Sequence, residues 1–281
     1  MKRFLVSIAA GLIFVSSAAA AIQPFAELWN NLAYYSTNIE QQDFSSLLLR
    51  YEGKVGFNLD DSPFDLYAVY YGTASQTSDY WDNSLFAGLG FRFRPFYNYK
   101  PGDWTNEWLP DVKIFAESLS ASYQKNAGAA EAAGLPKNDT RYGFELWHVW
   151  NLDKPNPNDY WGELWTNLSF RTTSFTATDF NDWLFYFQPK LGRHLGRGIE
   201  PYIKADVTYS NKNYYWQNVA DYGIGIRFEP WRNTASDDSI LKKLKIFAEV
   251  LTVSYLKDKP PTAQQTVSTD IRFGIDLSIG R

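Results

Sequence analysis

Charged side chains recur at alternate positions within otherwise apolar segments of this 281-residue chain. Arg92 and Arg94 alternate with Leu89, Phe91 and Phe93. Arg227 and Glu229 alternate with Ile224, Ile226 and Phe228, and Arg272 and Asp276 with Phe273, Ile275 and Leu277. Arg141 and Glu145, Lys204 and Asp206, Glu117 and Glu249 sit in segments of the same kind. The set mixes both signs, so the chemistry it supports is ion pairing along a shared polar face. Rings of a single sign would instead suit an ion-selective constriction. Glu117 and Glu249 hold matching places in the segments that follow Arg92/Arg94 and Arg227, which predicts Arg–Glu pairs between neighbouring elements. The face carrying each Glu also carries Phe, Leu and Tyr. An outward, lipid-facing charge costs free energy, which favours the inward reading for the whole set.

Catalytic chemistry finds few candidates. The chain has no Cys, which excludes disulfides, thiolate metal sites, a Cys nucleophile and a lipidated N-terminal cysteine. Its two histidines, His148 and His194, stand at no metal-ligand spacing from each other. A lipid-face hydrolase would need Ser, His and an orienting polar group to converge. His148 offers a base, but no Ser is marked out by its surroundings, so the expected places are an interfacial girdle for His148 and a turn for His194. No glycine-rich phosphate loop occurs. The expectation is a non-enzyme without metal or cofactor. The net charge of −4 argues against a nucleic-acid partner.

The elements that must position these charges are strands. Residues 1–20 are set apart first: Lys2 and Arg3, an apolar run from Phe4 to Val15, then Ala18, Ala19 and Ala20 read as a cleaved secretory signal, too short to span a bilayer. In the remainder, 21–281, no stretch reaches the length of a transmembrane helix. "GLGFRFRP" (from Gly88), "GIGIRFEP" (from Gly223) and "RFGIDLSIG" (from Arg272) all alternate with period two. A soluble sandwich would turn the polar face outward, whereas a membrane barrel turns it into the lumen.

Aromatics make up 18% of the chain and gather near strand ends, at Trp29, Tyr34, Tyr35, Tyr80, Trp81, Trp104, Trp108, Trp147, Trp150, Tyr160, Trp161 and Tyr214 to Trp216, as interfacial girdles require. The fold expected is therefore an all-β, transmembrane antiparallel β-barrel of about 12 strands. Strands are predicted near 26–36, 45–58, 64–74, 84–94, 112–124 and 141–151, then 162–176, 183–192, 201–210, 221–229, 244–257 and 270–280.

The two sets are alike. "KIFAE" occurs at Lys113 and again at Lys245, "ELWNNL" (Glu27) matches "ELWTNL" (Glu163), and "RYGFEL" (Arg141) matches "RFGIDL" (Arg272). The sequence predicts two six-strand repeats, about 26–151 and 162–280, joined by a short Pro/Asn turn rather than a linker. Closure would remove the edges that neither half could satisfy alone in lipid. With both termini in the periplasm, Ser75–Asn83 and Ala127–Asp139 become surface loops. The long segments Phe96–Asp111 and Trp231–Lys243 then become periplasmic, as short helices facing a periplasmic subunit, unless the topology is inverted.

Arg272, Gly274, Leu277 and Ile279 resemble the C-terminal signal read by the barrel assembly machinery, with Gly280 and Arg281 following where an aromatic commonly ends the chain. "EPYIKADVTYSNKNYYWQNVADYGIGIRFEPWRN" (Glu200 to Asn233), with Leu244–Leu256 and Asp270–Ser278, resembles the C-terminal barrel of bacteriophage adsorption protein A and related exopolysaccharide export proteins. The matched features are a Tyr/Trp-rich loop, a glycine-alternating strand before Pro, and a strand carrying "AE". This resemblance implies a barrel in the Gram-negative outer membrane, among lipid and lipopolysaccharide, connected with polysaccharide passage. The long helical-repeat region of that family is lacking, which implies a separate periplasmic subunit. The two functions expected are a pore for solutes or polysaccharide, and a plugged surface protein that binds partners or phage.

Overall fold

The computed structural model describes residues 22–37, 46–59, 62–102, 106–152, 159–174, 181–232, 239–261 and 266–280. The expected secretory segment and Trp104 lie outside the described residues.

Alternation produces twelve strands: β1 (Ile22–Thr37), β2 (Ser46–Leu59), β3 (Phe64–Ser75), β4 (Ser84–Phe93), β5 (Val112–Tyr123), β6 (Asn138–Trp150), β7 (Tyr160–Thr173), β8 (Asp182–Arg193), β9 (Ile199–Ser210), β10 (Val219–Phe228), β11 (Leu244–Tyr255) and β12 (Thr269–Ile279). Neighbours pair antiparallel, and β12 returns to β1 from Leu28↔Ile279 to Thr37↔Asp270, closing the cylinder. Every strand falls within a few residues of its predicted place.

Burial shows which way each face points. On β4, Leu89 is 71% exposed and Arg92 is 3% exposed; on β10, Ile224 is 65% exposed and Arg227 is 5% exposed. Apolar side chains outside and charges inside is the reverse of a protein solvated by water, and it is the arrangement that lipid stabilises. The chain is a transmembrane antiparallel β-barrel.

At one end the connections run 38–45, 76–83, 124–137, then 174–181, 211–218, 256–268: short, short, long, twice over. At the other end, 60–63 and 94–111 answer to 194–198 and 229–243, with 151–159 between the halves. Among the described residues, each of the long pair ends in a single 3-10 turn, Leu109–Asp111 and Ile240–Lys243. The 124–137 connection, expected as a loop, carries a short helix, α1 (Ala127–Ala132).

Two further features recur six strands apart. Tyr67 lies opposite Gly90, and Tyr202 opposite Gly225. A Cβ on Gly90 would stand 2.4 Å from the Tyr67 ring, and one on Gly225 2.5 Å from the Tyr202 ring, so only glycine lets each ring lie against its neighbouring strand. Asn83 and Asn218 are buried and organise the 76–83 and 211–218 turns. Each accepts from a strand-end serine amide (Ser75 N at 3.1 Å, Ser210 N at 3.0 Å) and donates to two turn carbonyls. Lys125 and Lys257 each brace the same serine's carbonyl at 2.6 Å.

The expected girdle needs correction. Trp81, Trp108, Trp150, Tyr160 and Trp216 are exposed, but Trp161 is fully buried. Trp147 donates to Glu163, and Trp29 and Tyr35 line an interior cavity. Adjacent strand residues point to opposite faces, so a sequence pair such as Tyr34–Tyr35 or Tyr160–Trp161 sends one ring out and one in.

Candidate functional site

The interior is an ion-pair network that links strands which are not neighbours, as only the inside of a closed barrel allows. In the first half, Arg92 donates through Nε to Asp65 at 2.7 Å and through Nη1 to Glu27, three strands away, at 2.8 Å. Arg94 meets the other oxygen of Asp65 at 3.2 Å, and Lys113 lies 3.7 Å from Glu27. Lys54 reaches across from β2 to β6 and donates to both oxygens of Glu145, at 3.0 and 3.1 Å. Glu117, 3.8 Å from Lys54, accepts from the Tyr67 hydroxyl at 3.0 Å and the Tyr71 hydroxyl at 2.8 Å. Arg141 donates to Asp139 at 2.6 Å and stands 4.9 Å over the Tyr71 ring.

In the second half, Arg227 donates to Glu200 at 2.7 Å, lies 3.3 Å from Glu229, and rests 4.1 Å over the Trp161 ring. Glu200 also holds Arg232 and hydrogen-bonds Nδ1 of His194, whose Nε2 faces the Asn151 carbonyl at 2.9 Å. Glu249 accepts from Tyr202 at 2.7 Å and from Lys204 at 3.1 Å, and Lys204 pairs with Asp206 at 2.8 Å. Arg272 is shared among Asp270, Asp206 and Asp221. Asp276 and Lys245 line the space beside Lys190, which pairs with Glu163 at 3.5 Å.

The pairing differs from the sequence expectation. Arg92 and Arg94 do not pair with Glu117, nor Arg227 with Glu249. The register sets Arg92 directly opposite Asp65, and Arg227 opposite Glu200, while each Glu stands opposite a glycine (Gly90, Gly225) under a tyrosine. Sequence reasoning also passed over Glu27, Lys54, Asp65, Glu163, Lys190 and Glu200. Their signal was recurrence: Glu27 with Glu163 in "ELWNNL" and "ELWTNL", and Lys54 with Lys190 in matching strands.

Two cavities remain between the clusters. The one in the first half, about 260 Å³, is walled by β2, β3 and β5 to β8. The other, about 80 Å³, is walled by β8 to β12 with β1 and β2. They fall at matching places. Phe115, Glu117, Arg141, Trp165 and Asn167 in the larger correspond to Phe247, Glu249, Arg272, Trp29 and Asn31 in the smaller.

Outside the cylinder, His148 Nδ1 lies 2.8 Å from Asp111 and its ring stacks on Trp150 at 6.0 Å. His194 lies in the β8–β9 turn. Among the described residues no cluster of His, Cys, Asp and Glu is arranged to hold a metal.

These features define the class of an apolar-skinned, polar-cored twelve-stranded barrel. No protein-family model and no curated protein matches the chain. Solved structures similar to it include a KdgM porin (9% identity, 91% of this chain and 99% of that one, TM-score 0.39) and a NanC porin (8%, 90% and 100%, 0.42). An outer membrane channel from Pseudomonas putida F1 is also similar (8%, 95% and 98%, 0.36). These are likenesses of barrel architecture and carry nothing about a solute.

Proposed function

We propose that this barrel resides in the outer membrane of a Gram-negative cell and passes small polar solutes through a narrow, charge-lined lumen. The observation that carries the reading is the polar interior with its two water-sized-to-small-molecule cavities inside an apolar exterior. In this reading the twelve sequence-picked charges, from Arg92 to Asp276, line the passage, and the Lys54–Glu145 bridge narrows it. That constriction favours small solutes over a polysaccharide strand, the cargo implied by the phage-adsorption and exopolysaccharide resemblance.

The same reading has residues 1–20 removed on secretion and the barrel inserted by the assembly machinery. The recurring turns, glycines and tyrosines support an origin by doubling of a six-strand unit. Planar-bilayer recording of the refolded protein tests the proposal. A small, steady open-channel current is expected, and Lys54→Met is expected to enlarge it. Electrical silence from protein that still migrates in a heat-modifiable manner would instead support a closed envelope component that works through its loops.

A further inference from the structure

The larger cavity has features beyond those a passage requires. Its volume, about 260 Å³, falls just below the ~300 Å³ at which small-molecule sites begin. At its wall two buried polar atoms, Ser169 Oγ and Arg171 Nε, have no hydrogen-bond partner, and Ser169 is 1% exposed. Buried donors in folded proteins are ordinarily satisfied, so two on one wall of one cavity call for a partner. They sit two residues apart on the inward face of β7. Beside them the rings of Trp165 and Tyr186 lie 5.6 Å apart. The charged groups of the wall are three carboxylates (Glu52, Glu117, Glu145) and two guanidinium groups (Arg141, Arg171), with the Lys54 ammonium beside Glu145 and Glu117, so the charges balance.

We infer that this cavity binds one neutral, sugar-sized polyhydroxylated molecule, whose oxygens accept from Ser169 and Arg171 while its C–H face packs on Trp165 and Tyr186. The inference rests on the lumen being reachable from water, as proposed above. An apolar guest would leave both donors unpaired, and an anionic guest would meet no net positive charge, since Lys54, Arg141 and Arg171 are balanced by Glu52, Glu117 and Glu145. The matching place in the other half shows the site's absence. Ala33 and Tyr35 stand where Ser169 and Arg171 would be, Arg50 replaces Tyr186, and Arg272 is drawn toward Asp206, leaving about 80 Å³.

The test is isothermal titration of the refolded barrel, in a zwitterionic detergent free of sugar headgroups, with glucose and with glucuronate. Saturable binding of glucose, weaker binding of glucuronate, and about tenfold weaker glucose binding by Ser169→Ala and by Arg171→Gln are expected. Heat-modifiable migration verifies that each variant has folded. No saturable glucose binding by the folded wild type overturns the inference, as does unchanged affinity in either variant or tighter binding of glucuronate. If neither variant folds, the wild-type preference between the two ligands decides. A conducting barrel that binds no glucose sinks this site alone, whereas binding without current sinks the passage reading and leaves the site standing.

Discussion

Glu117 accepts from two phenols, Tyr67 and Tyr71, with the Lys54 ammonium farther off at 3.8 Å, whereas at the matching place in the other half Glu249 accepts from one phenol, Tyr202, and directly from an ammonium, Lys204. The position of Tyr71 is taken there by Asp206, which draws Lys204 and Arg272 inward. This exchange of an aromatic for a carboxylate, together with Lys204 in place of Val69 and Arg50 in place of Tyr186, brings charged side chains into the space, and the cavity is about 80 rather than about 260 Å³. The frame is indifferent to the exchange: the Tyr–Gly–Glu contacts, the asparagine-organised turns and the bracing lysines are the same on both sides. The shape of the barrel and the content of its lumen are therefore set by separate residues, and can vary separately.

The largest effect that would separate the halves is expected from Glu200→Ala. It removes one partner each from Arg227, Arg232 and His194; both arginines keep Glu229, so the loss is expected at the low end of the range for breaking a buried pair, about 3 kcal/mol. Asp65→Ala should cost less, because Arg92 keeps Glu27 and Arg94 is partly exposed. Urea unfolding from lipid vesicles, followed by tryptophan fluorescence, measures both. Equal losses would mean that the two ends of the comparison are not organised differently.

Next is Lys54→Met, which leaves Glu145 and Glu117 facing each other without their cation, a loss of about 3 kcal/mol by the same reasoning. Lys190→Met should be milder, since the partner it leaves, Glu163, keeps the Trp147 indole N–H. Gly90→Ala and Gly225→Ala should cost the same, about 1–3 kcal/mol each, because the same ring must move in both. A large inequality there would break the claim of a common frame. The smallest contrast is between tyrosines. Tyr67→Phe and Tyr202→Phe should each cost about 1 kcal/mol, because Glu117 retains the Tyr71 phenol and Glu249 retains the Lys204 ammonium.

Much of the frame was legible in the sequence because period two is a local property. Leu89, Phe91 and Phe93 against Arg92 specify a strand and its faces without reference to anything distant. Lumen partners were not legible, because they depend on register and on closure. Nothing local says that Arg92 stands opposite Asp65 rather than level with Glu117, or that Lys54 reaches Glu145 across four strands. Aromatic placement failed for a simpler reason: clustering by position ignored the one-residue alternation that buries Trp161 and Tyr35 while exposing Tyr160. The unpartnered Ser169 Oγ and Arg171 Nε could not be found at all from sequence, since a missing partner shows only when every neighbour is in place.

The seam between β1 and β12 sets a timetable for the molecule's making. Until β12 arrives, β1 and β11 both present bare backbone to hydrocarbon, so no shorter version of the cylinder is a resting place. Damage near Gly274, which packs against Leu32 and Ala33, should therefore stall completion of the whole rather than loosen one strand.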